Sequence, residues 1–163
     1  NPPTNIIRNG GTFLEIYSIG FTKHSALNFF GLIKEHEIDK LLDVRLNNTS
    51  QLSGFAKRDD LKYFLKELCN TDYIHAPALA PEKEILKNYR NEVISWEEYE
   101  NRFIDLLAQR HIENELDKGL FSGRTALLCS EHSPEFCHRR LVIEYLNSHW
   151  GNMSITHLVS ASL

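Results

Sequence analysis

The stretch from Ala126 to Arg140, "ALLCSEHSPEFCHRR", gathers two cysteines, two histidines, two glutamates and two arginines directly behind an apolar run. An apolar run followed by Ser133 and Pro134 reads as a strand, a loop and a helix with Ser133 as cap and Pro134 at its first position. Cys129 then stands at a strand tip facing a helix N-terminus, with Cys137, His138 and Arg139 about one turn inside that helix. A thiol beside a helix N-terminus and cationic side chains ionises more easily and becomes a better nucleophile. The same donors suit a phosphate or a carboxylate. On this reading Cys129 is the nucleophile, Glu131 with His132 or His138 moves protons, and Arg139 holds an anion.

Two other readings use the same residues. Cys129, Glu131, His132, Cys137 and His138 offer thiolate, carboxylate and imidazole ligands, but structural zinc sites usually show paired Cys-x₂₋₄-Cys spacings. Here Cys129 and Cys137 are eight apart with no second pair, so no metal is expected. The plainest reading makes both cysteines core, since cysteine is among the most buried residue types, and for Cys137 this reading is preferred. Arg45 could form an ion pair with Asp43 or Glu131, His75 could be an ordinary packed histidine, and Cys69 reads as packing.

Such a site needs elements to position it. The apolar run at Leu14–Ile19, closed by Gly20, reads as a first strand, followed by a helix with Ala26, Phe29, Phe30 and Ile33 on one side. A strand at Lys40–Val44 ends in Arg45, and an irregular loop over 47–57 precedes a helix from Asp59 with Leu61, Phe64, Leu65 and Leu68 at helical spacing. Tyr73–His75 is a short third strand. Ser95 and Glu98 form a capping box for a long helix that Gly119 is expected to stop. Thr125–Cys129 and Ser154–Val159 supply the last strands.

The alternation of strands and long crossovers predicts an α/β fold: an open, mostly parallel sheet of about five strands with helices on both faces, a Rossmann-like three-layer sandwich. Residues 1–12 read as a loose arm and 13–163 as a single domain. Ile19, Leu41, Leu42, Val44, Leu65, Phe103, Leu107, Leu127, Leu128, Leu141 and Tyr145 are the expected interior.

In open α/β sheets ligands gather at the carboxyl ends of the strands. Those ends carry Gly20, Thr22 and His24, then Arg45, then His75, then Cys129, Glu131 and His138, with Arg139 behind. Gly20, Thr22, His24, Arg45, His75 and Arg139 are therefore the candidate substrate-binding residues.

Composition sets limits on this picture. Apolar residues make up 42% and charged residues 25% of the chain, ordinary values for a globular protein. The apolar runs are far shorter than the roughly 20 residues a membrane crossing needs, and no secretory leader pattern opens the chain. Three scattered cysteines suit a reducing cytoplasm better than a disulfide scaffold. A net charge of −4 gives no broad hold on nucleic acid, although a local basic pocket remains compatible with it. No G-x-G-x-x-G or Walker pattern occurs, so no cofactor is expected.

The loop after Cys129 is similar in logic to the anion-cradling loops of rhodaneses and cysteine phosphatases, and "LLDVR" resembles a rhodanese strand end, although the loop here is longer. Over Ile16 to Leu158 the chain resembles the DUF488 family of uncharacterised bacterial and archaeal proteins. The resemblance lies in "YSIGFTKHSALNFFGLIKEHEIDKLLDVR", "YFLKELCNTDYIHAPALAP" and the block Cys129, Glu131, Cys137, His138 and Arg139. Two stretches depart from it: "LNNTSQLSGFAK" stands where members usually carry a serine, proline and arginine pattern, and "ALAPEK" where a glycine-rich loop is common. The resemblance implies a compact α/β protein with a polar pocket, and no reaction.

Together these readings give an expected function. It is a thiol-dependent transferase or hydrolase for a small phosphorylated or nucleotide-like substrate, or else a non-catalytic module for a nucleotide, a nucleic-acid end or another anion. Oligomeric state has no signature in the sequence.

Overall fold

The fold, a computed structural model describing residues 7–8, 11–49 and 54–159, is built on a five-stranded sheet. Two short strands precede the sheet: β1 (Ile7–Arg8) and β2 (Gly11–Thr12) pair antiparallel. They lie within the span expected to be a loose arm, whose other residues up to Gly10 lie outside the described ones.

The strands are β3 (Leu14–Gly20), β4 (Lys40–Asp43), β5 (Asp72–His75), β6 (Arg124–Cys129) and β7 (Met153–Leu158), in the order β5-β4-β6-β3-β7. Every neighbouring pair is parallel. The central strand β6 is buried after its first residue, as a strand covered on both faces must be, and this explains its unbroken apolar run.

Side chains alternate between the two faces of a strand. Ala126 and Leu128 join the cluster formed with Ile19, Phe29, Phe30, Ile33, Leu41, Leu61 and Leu65, under α1 (Ala26–Glu35) and α2 (Arg58–Phe64), the latter continued as a π-helical turn Leu65–Cys69. Leu127 and Cys129 point the other way. They join Ile16, Leu42 and Val44 under α3 (Lys83–Arg90), α4 (Trp96–Gln109), α5 (Ile112–Glu115) and α6 (His138–Trp150). The result is the expected three-layer α/β sandwich. All the residues expected in the interior are buried, Tyr145 being the most exposed at 8%. Burying each Leu, Ile or Phe contributes about 1.5–3 kcal/mol, so these two clusters hold the layers together.

Two local expectations are corrected, and one helix is added. Ser95 does cap α4, its hydroxyl accepting from the Glu98 amide at 3.1 Å, but α4 ends at Gln109 and not near Gly119. There the chain turns left-handed at His111 (φ 52°), and the Arg110 guanidinium donates to the carbonyls of Ala78 and Ala80 at 2.8 and 2.6 Å. Next, α6 starts at His138 with Cys137 as its cap residue, so Ser133 and Pro134 sit in a loop spanning 130–137. Finally, α3 was not anticipated: after Pro81 the chain forms a helix on Ile85, its buried anchor. A smaller difference is Ala26, which is exposed while Phe29, Phe30 and Ile33 face inward.

Candidate functional site

The carboxyl ends of β4 and β6, the first turn of α6 and one face of α3 surround a cleft of about 720 Å³. Its floor is Cys129, Ser130, Glu131 and His138, and its wall includes Lys83, Lys87 and Arg90 of α3. These three cations lie at i, i+4 and i+7, one stripe of a helix, and all are exposed. Arg45, Leu46 and Asn47–Thr49 complete the rim.

Cys129 is 3% exposed, with its Sγ 3.2 Å from Glu131 Oε2 and 3.4 Å from His138 Nδ1. Its single S–H can serve one of these acceptors at a time. His138 is oriented from behind: its Nε2 lies 2.7 Å from the Val44 carbonyl. A carbonyl only accepts, so Nε2 carries a proton, and in its neutral form the ring presents the Nδ1 lone pair to the thiol. Thiol, base and an orienting third group in a row form the usual arrangement of an activated nucleophile.

Burial pulls the His138 pKa down, but the neighbouring Cys137, the Val44 carbonyl and Glu131 outweigh it and raise the pKa above the ordinary imidazole value. Burial, reinforced by Cys129, pushes the Cys137 thiol far up, with His138 opposing. Tyr99 behind the site is also raised, first by burial and then by Cys129, Cys137 and Glu131, so its hydroxyl keeps its proton.

The structure brings Cys129, Glu131 and His138 together at the cleft. It gives the arginines a different place. Arg45 is 2% exposed, and its Nε and one terminal nitrogen donate to the two Asp43 carboxylate oxygens at 2.8 and 2.7 Å. Its other terminal nitrogen donates to the Ala56 carbonyl at 2.7 Å. Asp43, fully buried, also accepts from the Arg45 amide and the Tyr73 hydroxyl. A buried charge with this many partners is structural. Arg139, 0% exposed, donates to Ser18 Oγ and to the carbonyls of Glu131 and His132 at 3.1, 2.6 and 3.1 Å. It ties the loop over 130–137 down onto β3. Arg139 lies outside the cleft lining, and Arg45 reaches the rim with its guanidinium already engaged by Asp43 and Ala56.

Of the remaining candidates, Gly20, Thr22 and His24 meet the loop over 130–137. A Cβ on Gly20 would lie 1.5 Å from the Glu131 carbonyl oxygen, so only glycine lets the loop cross the β3 tip. Thr22 donates to the Ser130 carbonyl through both its amide and its hydroxyl, and His132 Nδ1 donates to the Thr22 carbonyl at 3.1 Å. His24 is buried with neither ring nitrogen hydrogen-bonded, its ring 4.9 Å from that of His132. Burial first, then His132 and Arg139, lower its pKa. His75, exposed on edge strand β5, donates to the Arg45 carbonyl at 3.2 Å. None of these four lines the cleft.

Sequence reasoning missed Lys83, Lys87 and Arg90. Their i, i+4, i+7 spacing around Ile85, just after Pro81, was the available signal.

An all-parallel open α/β sheet with a thiol–imidazole pair at the strand ends defines the class. The chain belongs to the DUF488 family: the model of this domain of unknown function matches residues 25–146, well over half of the chain. Searches of curated proteins and of solved structures found no significant match.

Proposed function

We propose that the protein is a thiol-dependent transferase or hydrolase acting on a small phosphorylated or nucleotide-like substrate. The observation that carries this reading is the row Cys129 Sγ, His138 Nδ1 and, behind His138 Nε2, the Val44 carbonyl, at the floor of a cleft walled by Lys83, Lys87 and Arg90. Cys129 passes its proton to His138 as its sulfur attacks the electrophilic phosphorus or carbonyl carbon. The new bond to sulfur forms as the bond to the leaving oxygen breaks, and His138 returns the proton to that oxygen. Glu131, 3.2 Å from the sulfur, is placed to take a proton from the water or acceptor hydroxyl that then displaces the sulfur. The α3 cations neutralise the substrate charge, in place of Arg45 and Arg139.

The aromatic side chains of Tyr89, Trp96 and Phe136 line a second depression, and Tyr89 is the chain neighbour of Arg90 in the cleft wall, which supports the nucleotide-like part of the reading. The chemistry needs Cys129 reduced, so a reducing cytoplasm is its natural setting. Among the described residues no helix is long and apolar enough to cross a membrane. The near-complete burial of Cys129 favours the second reading, a module that binds the same anions without turnover.

The test is turnover of a panel of phosphomonoesters and nucleotides, with binding followed by calorimetry. Cys129→Ser is expected to cut turnover by at least about 10³-fold with affinity kept, in line with losing a nucleophile. Replacing Lys83, Lys87 and Arg90 together by Gln is expected to weaken binding at least tenfold. Full turnover by the serine variant overturns the enzyme reading, and unchanged affinity in the triple variant overturns the anion site.

A further inference from the structure

The thiol–base pair leaves one neighbour without a task. Cys137, 1% exposed, caps α6, yet its side chain makes no capping hydrogen bond, and the proposed chemistry does not use it. Its Sγ, the Cys129 Sγ and a ring nitrogen of His138 all lie within 4.8 Å of one another, and all three residues are buried. A tetrahedral zinc site, with Zn–S near 2.3 Å and Zn–N near 2.0–2.1 Å, sets such donor atoms about 3.5–4 Å apart. The set therefore needs to contract by only about 1 Å around an ion of that size.

Other observations point to the same ligand. The His138 ring already donates its far N–H to the Val44 carbonyl at 2.7 Å, the outer contact that metal-bound imidazoles generally make, leaving Nδ1 aimed at the sulfurs. Two thiolates and one neutral imidazole around a divalent ion sum to zero charge, and a neutral set can stay buried in an apolar cluster at little desolvation cost. Sulfur and imidazole donors select zinc-like or softer ions over magnesium and calcium. Three protein ligands leave a fourth position, and on the cleft side Glu131 Oε2 is 3.2 Å from the Cys129 sulfur.

We propose that Cys129, Cys137 and His138 form a binding site for a thiophilic cation of the zinc class, and that its occupation switches off the thiol chemistry of Cys129. The second half rests on the thiol reading above. In the binding step two S–H bonds break and two S–metal bonds form. Two protons leave for solvent, and no electron is transferred. The bound ion takes the Cys129 lone pairs and the Nδ1 lone pair together, so nucleophile and base are lost at once. Removing the ion restores both. The paired spacing usual in zinc sites is not needed here, because Arg139 holds the loop carbonyls of Glu131 and His132 and so brings Cys137 back beside Cys129.

The experiment titrates the reduced full chain with Co²⁺, then with Zn²⁺ as competitor, while alkylation of Cys129 is followed by mass spectrometry. The expected result is one cobalt per chain with the intense visible bands of tetrahedral coordination and sulfur-to-cobalt charge transfer, displacement by Zn²⁺, and blocked alkylation that a chelator restores. Cys137→Ala is expected to lose the tetrahedral spectrum and bind at least about tenfold more weakly, while its metal-free Cys129 is still alkylated. Zinc-edge X-ray absorption of the loaded wild-type chain reads two sulfur ligands without any variant, which covers the case in which Cys137→Ala does not fold. A wild-type chain with no tetrahedral cobalt spectrum, or with an absorption edge lacking two sulfurs, overturns the metal site while leaving the thiol reading to its own turnover test. A metal that binds as described to a protein whose metal-free Cys129 never reacts overturns the switch and the thiol reading, and keeps the site.

Discussion

The ends of β4 and β6 lie side by side in the sheet, and both carry buried polar groups, but they treat them in opposite ways. At the end of β4 the Asp43 carboxylate and the Arg45 guanidinium satisfy each other, with Tyr73 and the Ala56 carbonyl taking up further bonds. At the end of β6 the Cys129 sulfur faces two acceptors with one proton, and Cys137 has no capping bond to make. The first network is complete and acts as scaffold. The second keeps a proton to move and lone pairs to offer, and it faces the cleft. Charge and burial alone do not mark a site, because a buried charge already paired and hydrogen-bonded has less to offer a ligand.

The comparison can be broken most severely at the β4 end. Arg45→Ala leaves Asp43 buried without its counter-charge, and removing one partner of such a pair costs about 3–5 kcal/mol. Denaturant unfolding measures this, and a loss below 1 kcal/mol would show that the network is not the scaffold described here. The second largest effect is expected at the crossing of β3 and the loop. Gly20→Ala places a methyl group on the Glu131 carbonyl, and overpacking of this kind costs about 1–3 kcal/mol. The same substitution should displace Glu131 from Cys129, so turnover should fall further than stability does. Equal losses in both would make Gly20 a packing residue and nothing more.

His24 sharpens the contrast with the smallest effect. It is a third case, a buried ring at the β3 end with no hydrogen-bond partner, and its pKa is lowered. Below about pH 6.5 the unfolded chain takes up a proton that the folded ring resists. Stability contributed by His24 is therefore present above pH 6.5 and declines as the pH falls toward the lowered folded value, with a slope of at most about 1.4 kcal/mol per pH unit. His24→Phe should flatten that part of the stability profile, and an identical slope in the variant would remove His24 from the account. His157, also lowered by burial and by Arg139, remains as a background contribution in both proteins.

Much of this architecture could be read from residue types. Short apolar segments located the five sheet strands, and Ser95 with Glu98 marked the start of α4, because these signals are local. The misreadings come from contacts that residue types do not announce. Ser133 and Pro134 are good helix starters, but Arg139 grips the carbonyls of Glu131 and His132, and the open space over Gly20 draws the loop onto β3. Arg45 and Arg139 look like anion holders until their donors are traced to Asp43, Ala56, Ser18 and the loop. Lys83, Lys87 and Arg90 went unnoticed because α3 is short and polar, with one buried residue to signal its face. Cys137 reads as packing from its residue type, and only the folded loop brings its sulfur within 4.8 Å of the Cys129 sulfur and a His138 ring nitrogen.

The strand order has a consequence for how the protein reaches its working form. β6 lies between β3 and β4, although its residues follow their partners in those strands by 109 and 85 positions, so the chain must bring three distant segments together to close the middle of the sheet. Contacts of such long sequence separation form slowly, since the loop entropy is lost before the pairing rewards it. Until β6 inserts, Cys129 has neither the Val44-held imidazole beside it nor Cys137 folded back onto it. A nascent or half-folded chain therefore carries three separate thiols, and the pairing of Cys129 with His138 and Cys137 exists only in the completed sheet.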